Sequence, residues 1–234
     1  MKKVFGKFYY DFAMYKFLVV FILIFITNFS FGGQIKIGIV KYTGGDWYNN
    51  IDSVKNLLKE VSKRTSLKVR LEPGLVDLSS RDIFDYDILY ISGHTPIFFN
   101  EKEIRNLRDY ILVFGGFVFV NDDYGMDESF RKEIKKVLPE YDLELVPFTH
   151  PIYHCFYSFP NGLPKIHEHD GGAPEGLGIF VNGELRLFYA YNTDIGDGWD
   201  APEVHNDPEE IRESAIKMGV NIVLYSILRD KPMN

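Results

Sequence analysis

Apolar positions along this chain repeat with two different periods, and each change of period marks an element boundary. Residues 34–41, QIKIGIVK, alternate as a half-buried strand does. Ile51, Val54, Leu57, Leu58 and Val61 then fall three and four apart, the spacing of one helical face. Residues 67–71 predict a second strand. Residues 87–92, DILYIS, are apolar through the middle, as a strand covered on both faces would be. Asn100 and Glu103 make a capping box ahead of a helix whose buried stripe is Ile104, Leu107, Ile111 and Phe114. Gly115 or Gly116 ends that helix in a left-handed cap. FVFV at 117–120 is the next strand, and 127–137 is a short helix.

The texture changes after Pro139. Prolines, glycines and histidines crowd residues 147–176. Residues 178–181 and 184–189 form a hairpin around Asn182-Gly183, the dipeptide of a type I′ turn. Asp207-Pro208-Glu209-Glu210 starts a last helix, with Asp207 as cap and an apolar body through Ile211, Ala215, Met218, Ile222 and Leu228. Alternation of strand and helix over 34–146 predicts an α/β fold with a mostly parallel sheet covered on both faces. With no linker in sight, residues 34–234 read as a single domain.

The first 33 residues have another pattern. Lys2, Lys3, Lys7 and Lys16 precede an unbroken apolar run, FLVVFILIFI, and Ser30 and Gly32 supply small residues before Gly33. This is the layout of a secretory signal peptide. The expectation is a periplasmic or secreted protein; the alternative is retention in the membrane through residues 17–31. Without residues 1–33, which hold four Lys and one Asp, 22 basic and 32 acidic residues remain, a formal charge of −10. That surplus argues against nucleic acid as a partner. Cys155 is the only cysteine, so the chain forms no internal disulfide. An exported chain without disulfides fits a bacterial envelope.

Candidate chemistry gathers where strands end, since ligands of open α/β sheets bind at the carboxyl ends. Asp122 and Asp123 follow FVFV directly. They can act as acid and base or hold a divalent metal; alternatively one caps the next helix and the other is solvated. His94 ends the strand DILYIS and is a candidate base or ligand. After the first strand, Gly44, Gly45, Asp46, Trp47 and Tyr48 form a loop in which glycines admit close approach and aromatics can stack on a saccharide or other small molecule. The loop lacks the spacing of dinucleotide and phosphate binders. His150 and His154 stand four apart, but Pro151 argues against a helix, so H-x-x-x-H is weak evidence for metal. The stretch His167-Glu168-His169-Asp170 reads as a solvated loop. Asp194, Asp197, Trp199 and Asp200 make an acidic loop without EF-hand spacing.

The pieces VKYTGGDWYNN, LLKEVSKRTSLKV, DYDILYISGH, LRDYILVFGGFVFVNDDYG, FTHPIYHCFY and MGVNIVLY resemble, in order, the DUF4159 family of bacterial proteins. The resemblance implies a flavodoxin-like three-layer sandwich within the class I glutamine amidotransferase-like fold, and association with the cell envelope. Active amidotransferases carry a nucleophilic Cys at a sharp strand-to-helix turn. Here the turn offers Asn121, Asp122, Asp123 and Tyr124, and a carboxylate does not replace a thiolate in glutamine hydrolysis. Cys155 lies elsewhere and reads as a small buried residue. The expected role is a ligand-binding or assembly domain with envelope partners. The alternative is a hydrolase using Asp122, Asp123 and His94 on a saccharide or peptide, with or without a divalent metal.

Overall fold

Seven strands form one sheet in the order β2-β1-β3-β4-β7-β6-β5. The computed structural model describes residues 33–167 and 171–229. Strands β1 (Ile37–Lys41), β2 (Gly74–Asp77), β3 (Ile88–Gly93), β4 (Phe117–Asp122) and β7 (Glu184–Tyr191) run parallel. Strands β6 (Glu175–Val181) and β5 (Glu144–Leu145) extend the sheet in antiparallel pairs. The 2-1-3-4 core followed by β7 is the flavodoxin-like order, and it reverses direction between β1 and β3.

Period-two alternation divides the core between the two faces. Ile37, Ile39, Tyr90, Phe119 and Phe188 point to one face, covered by α1 (Ile51–Arg64) and α5 (Glu209–Leu228). Val40, Leu89, Ile91, Val118, Val120 and Leu187 point to the other, covered by α2 (Glu101–Leu112) and α3 (Asp127–Val137). A short helix α4, Pro202–His205, precedes α5. From Ile35 onward the chain forms one compact unit. Among the described residues no helix is long and apolar enough to cross a membrane. The expected signal segment, apart from Gly33, lies outside the described residues, as do Glu168, His169 and Asp170.

Local signals are realised closely. The Asn100 side chain accepts from the Lys102 and Glu103 amides while Glu103 reaches back to the Asn100 amide. Asn182 and Gly183 both take positive φ, 54° and 84°, as a type I′ turn requires. Three expectations fail. Phe114 does not belong to the buried stripe of α2, which ends at Leu112 and leaves Phe114 exposed. The second strand is Gly74–Asp77, not 67–71, where only Val69 bridges to Ile35. Gly74 leaves room for the Tyr86 ring, which a Cβ there would overlap. Asp207 does not cap α5, whose start carries no side-chain cap; its carboxylate turns instead to His167 at 3.0 Å.

Candidate functional site

The loop after β1 and the end of β3 meet across the point where strand order reverses. Asp46 Oδ1 accepts from the His94 amide at 2.9 Å, and Asp46 Oδ2 lies 2.8 Å from His94 Nδ1. Two local features permit this. Gly45 lies against the Tyr42 ring, where a Cβ would overlap it, and Gly93 leaves no room for a Cβ between Tyr42 and Asp46. The Tyr42 hydroxyl donates to the Ser92 carbonyl at 3.0 Å, tying the loop to β3. Burial works against the Asp46 charge, but the hydrogen bonds from His94 outweigh it and hold this carboxyl below its usual range. The pair reaches solvent, with the His94 side chain 48% exposed.

Three exposed aromatics stand on the segments around this pair. Tyr48 follows Trp47, Phe98 bridges to Thr43, and Tyr124 occupies the turn after β4. Tyr124 holds φ 80°, a strained value for an aromatic residue. The turn presses on His94: a Cβ at Gly125 would come within 2.5 Å of the His94 carbonyl oxygen. Trp47 differs from Tyr48, being half-buried against the core beneath.

Behind this rim lies a buried polar network. Asp123 is fully buried and accepts from Ser92 Oγ at 2.7 Å, Asn50 Nδ2 at 3.1 Å and Asn121 Nδ2. Asn121 also donates to Asp194 at 3.3 Å and accepts from the Gly196 amide at 3.2 Å. Burial pushes the Asp123 carboxyl well above the usual range, the nearby Asp194 adds to this, and Ser92 and Asn50 oppose it. Asp122 is also buried, and its Oδ1 accepts from the Met126 amide at 3.3 Å as α3 begins. Neither carboxylate opens to solvent. Alternation turns the two toward opposite faces of the sheet, and both faces are covered at this point.

The structure brings Gly44–Tyr48, His94 and the Asp122–Asp123 turn to one end of the sheet. It does not bring His150 or His154 there. The His150 ring packs on Phe180 and Tyr225, at 5.8 and 5.1 Å between centroids, near the hairpin at the opposite end. Burial there lowers it to about 4. His154 turns to the Phe148 carbonyl at 2.7 Å. His150 packs the short turn against α5, while His154 stays exposed and ties the turn to residue 148. Cys155 donates to the Asn221 carbonyl at 3.3 Å, and burial raises its thiol to about 11.

His167 is not the solvated residue its polar neighbours suggest. It is half-buried among Asp194, Asp197 and Asp207. The hydrogen bond to Asp194 raises it to about 9, with burial opposing and Asp207 adding. His205, on α4, was not visible as a candidate. It stands beside Asp197 and Asp200. Only the acidic spacing of 194, 197 and 200 hinted at this group.

Fold and site together define a flavodoxin-like α/β domain with a polar pair and exposed aromatics at its strand-order reversal. The chain belongs to the family described as Domain of unknown function (DUF4159), whose model matches residues 36–227. No curated protein matches the chain.

Proposed function

We propose that this is an exported binding domain of the bacterial envelope that takes a saccharide or similar small polar ligand between β1 and β3. The observation that carries this reading is the Asp46–His94 pair, placed at the reversal of strand order where open α/β sheets hold ligands. A carboxylate and an imidazole offer acceptors and a donor for hydroxyl groups. Tyr48, Phe98 and Tyr124 add apolar faces beside them, the usual mix of a small-molecule site. The export-like start supports an envelope location, and the formal charge of −10 for the remainder argues against nucleic acid as a partner.

Glutamine hydrolysis forms no part of the reading. The turn after β4 keeps a strained strand-to-helix geometry at Tyr124, but offers no thiol, and Cys155 lies half-buried elsewhere. The hydrolase alternative moves from Asp122 and Asp123 to His94, because a carboxylate-oriented imidazole is the arrangement of a general base. Affinity and turnover separate the two. The full chain is screened against soluble saccharides by saturation-transfer NMR, and each binder is then incubated and analysed for cleavage. Binding without cleavage, weakened about tenfold or more in His94→Ala and Asp46→Ala, is expected. Cleavage lost in His94→Ala would favour the hydrolase. Binding untouched by both variants would remove the site.

A further inference from the structure

Around the turn that follows β7, a second group of side chains converges from three separate segments. His167 precedes β6, Asp197 lies in the turn after β7, and His205 ends α4. One donor atom from each falls within 4.8 Å of the other two. Asp197 Oδ2 is 3.2 Å from His167 Nδ1 and 3.5 Å from His205 Nε2. Ligands about 2.0–2.1 Å from a tetrahedral zinc ion stand about 3.3 Å from one another. Two edges of such a tetrahedron are therefore already in place.

The surroundings point the same way. His167 uses its two nitrogens differently. Nδ1 faces Asp197 and, at 3.6 Å, Asp194, while Nε2 is held by Asp207 at 3.0 Å. A carboxylate on the far nitrogen fixes the tautomer and orientation of a metal-binding imidazole. Asp200 lies 3.1 Å from His205 Nε2, near enough to supply an oxygen as the fourth ligand. Four carboxylates thus surround two imidazoles. Even with both rings protonated, negative charge is left over in a partly buried place, and a divalent cation offsets it.

We propose that His167, Asp197 and His205 bind one divalent transition-metal ion of the zinc type, with Asp207 as the residue that positions His167. Two imidazole nitrogens favour such an ion over magnesium or calcium, which prefer oxygen. The site shares no residue with the Asp46–His94 pair, so its failure would leave the ligand-binding reading intact.

The test uses the full chain, treated with chelator and titrated with Zn²⁺ by calorimetry, with melting temperature read in parallel. One equivalent is expected, with a rise in melting temperature. His167→Ala and His205→Ala should each weaken uptake about a hundredfold or more, and Asp207→Asn about 10–100-fold. His154→Ala, whose ring lies on another part of the fold, should change nothing. X-ray absorption on the zinc-loaded wild-type chain needs no variant to fold, and should show two nitrogen ligands of imidazole type. Absence of zinc uptake, uptake indifferent to His205→Ala, an oxygen-only shell, or displacement by equimolar Ca²⁺ would each overturn the assignment.

Discussion

Asp123→Asn tests whether the buried carboxyl at the end of β4 is structural. One carboxylate oxygen accepts from Ser92 and Asn121, the other from Asn50. Asparagine keeps the shape but exchanges one acceptor for an amide donor. Turned toward Asn50, that donor meets an amide donor and both are left unpaired. Turned toward Asn121, it meets an amide that still donates to Asp194, and the Ser92 hydroxyl can accept from it. The cheaper orientation loses the bond from Asn121 and crowds two donors, about 1–3 kcal/mol, so a net loss of about 2 kcal/mol is expected. For a domain of this size that lowers the melting temperature by about 4–8 °C. Urea unfolding followed by tryptophan fluorescence suits the question, because Trp199 is buried beside Tyr90. Ser92→Ala should cost less, about 1 kcal/mol, and the two changes should not add, since they share a hydrogen bond. A variant within about 0.5 kcal/mol of wild type would refute the structural role. An Asp123→Asn protein that folds fully but loses ligand binding would return Asp123 to the functional residues.

Acid-base behaviour follows from Asp197, which burial and the charge of Asp194 raise to about 7 from 3.8. A raised carboxyl contributes stability fully below its unfolded value and loses it as pH rises through the folded one. Metal-free protein should therefore lose stability between pH 4 and 7, by up to about 1.4 kcal/mol per pH unit from this group, and Asp197→Asn should flatten that slope in urea titrations at stepped pH. A thiol reagent should label Cys155 only after unfolding, and neither wild type nor Cys155→Ser should release ammonia from glutamine; Cys-dependent release would contradict the assignment. Fractionation of the native host, with mass spectrometry of the mature amino terminus, should find the protein in the envelope or outside it and beginning near Gly33. A cytoplasmic protein with Met1 intact would sink the export proposal.

Most of the fold was legible because its signals are local. The Asn100–Glu103 box, the Asn182-Gly183 turn and the stripe from Ile51 to Val61 lie within a few residues and depend on little else. Strand β2 was misplaced because only Val76 of its four residues is buried, and pairing with β1 decides it. The carboxyl-end rule located Asp46 and His94, 48 residues apart, because neighbouring parallel strands bring their ends together. It misjudged Asp122 and Asp123, whose burial depends on what α1, α3 and the turn after β7 lay over them. His167, His205 and Asp207 were out of reach for the same reason. Their meeting spans 40 residues of sequence and no local pattern encodes it.

Amide chemical-shift mapping of the isotope-labelled chain against soluble saccharides tests the ligand site most directly. The expected shifts cluster in the loop at residues 43–48, at residues 93–98 beyond β3, and in the turn at 122–126, and they vanish in His94→Ala. Shifts centred elsewhere, as at His150 and His154 or along α1 and α5, or no shift with any saccharide, would contradict a binding site between β1 and β3.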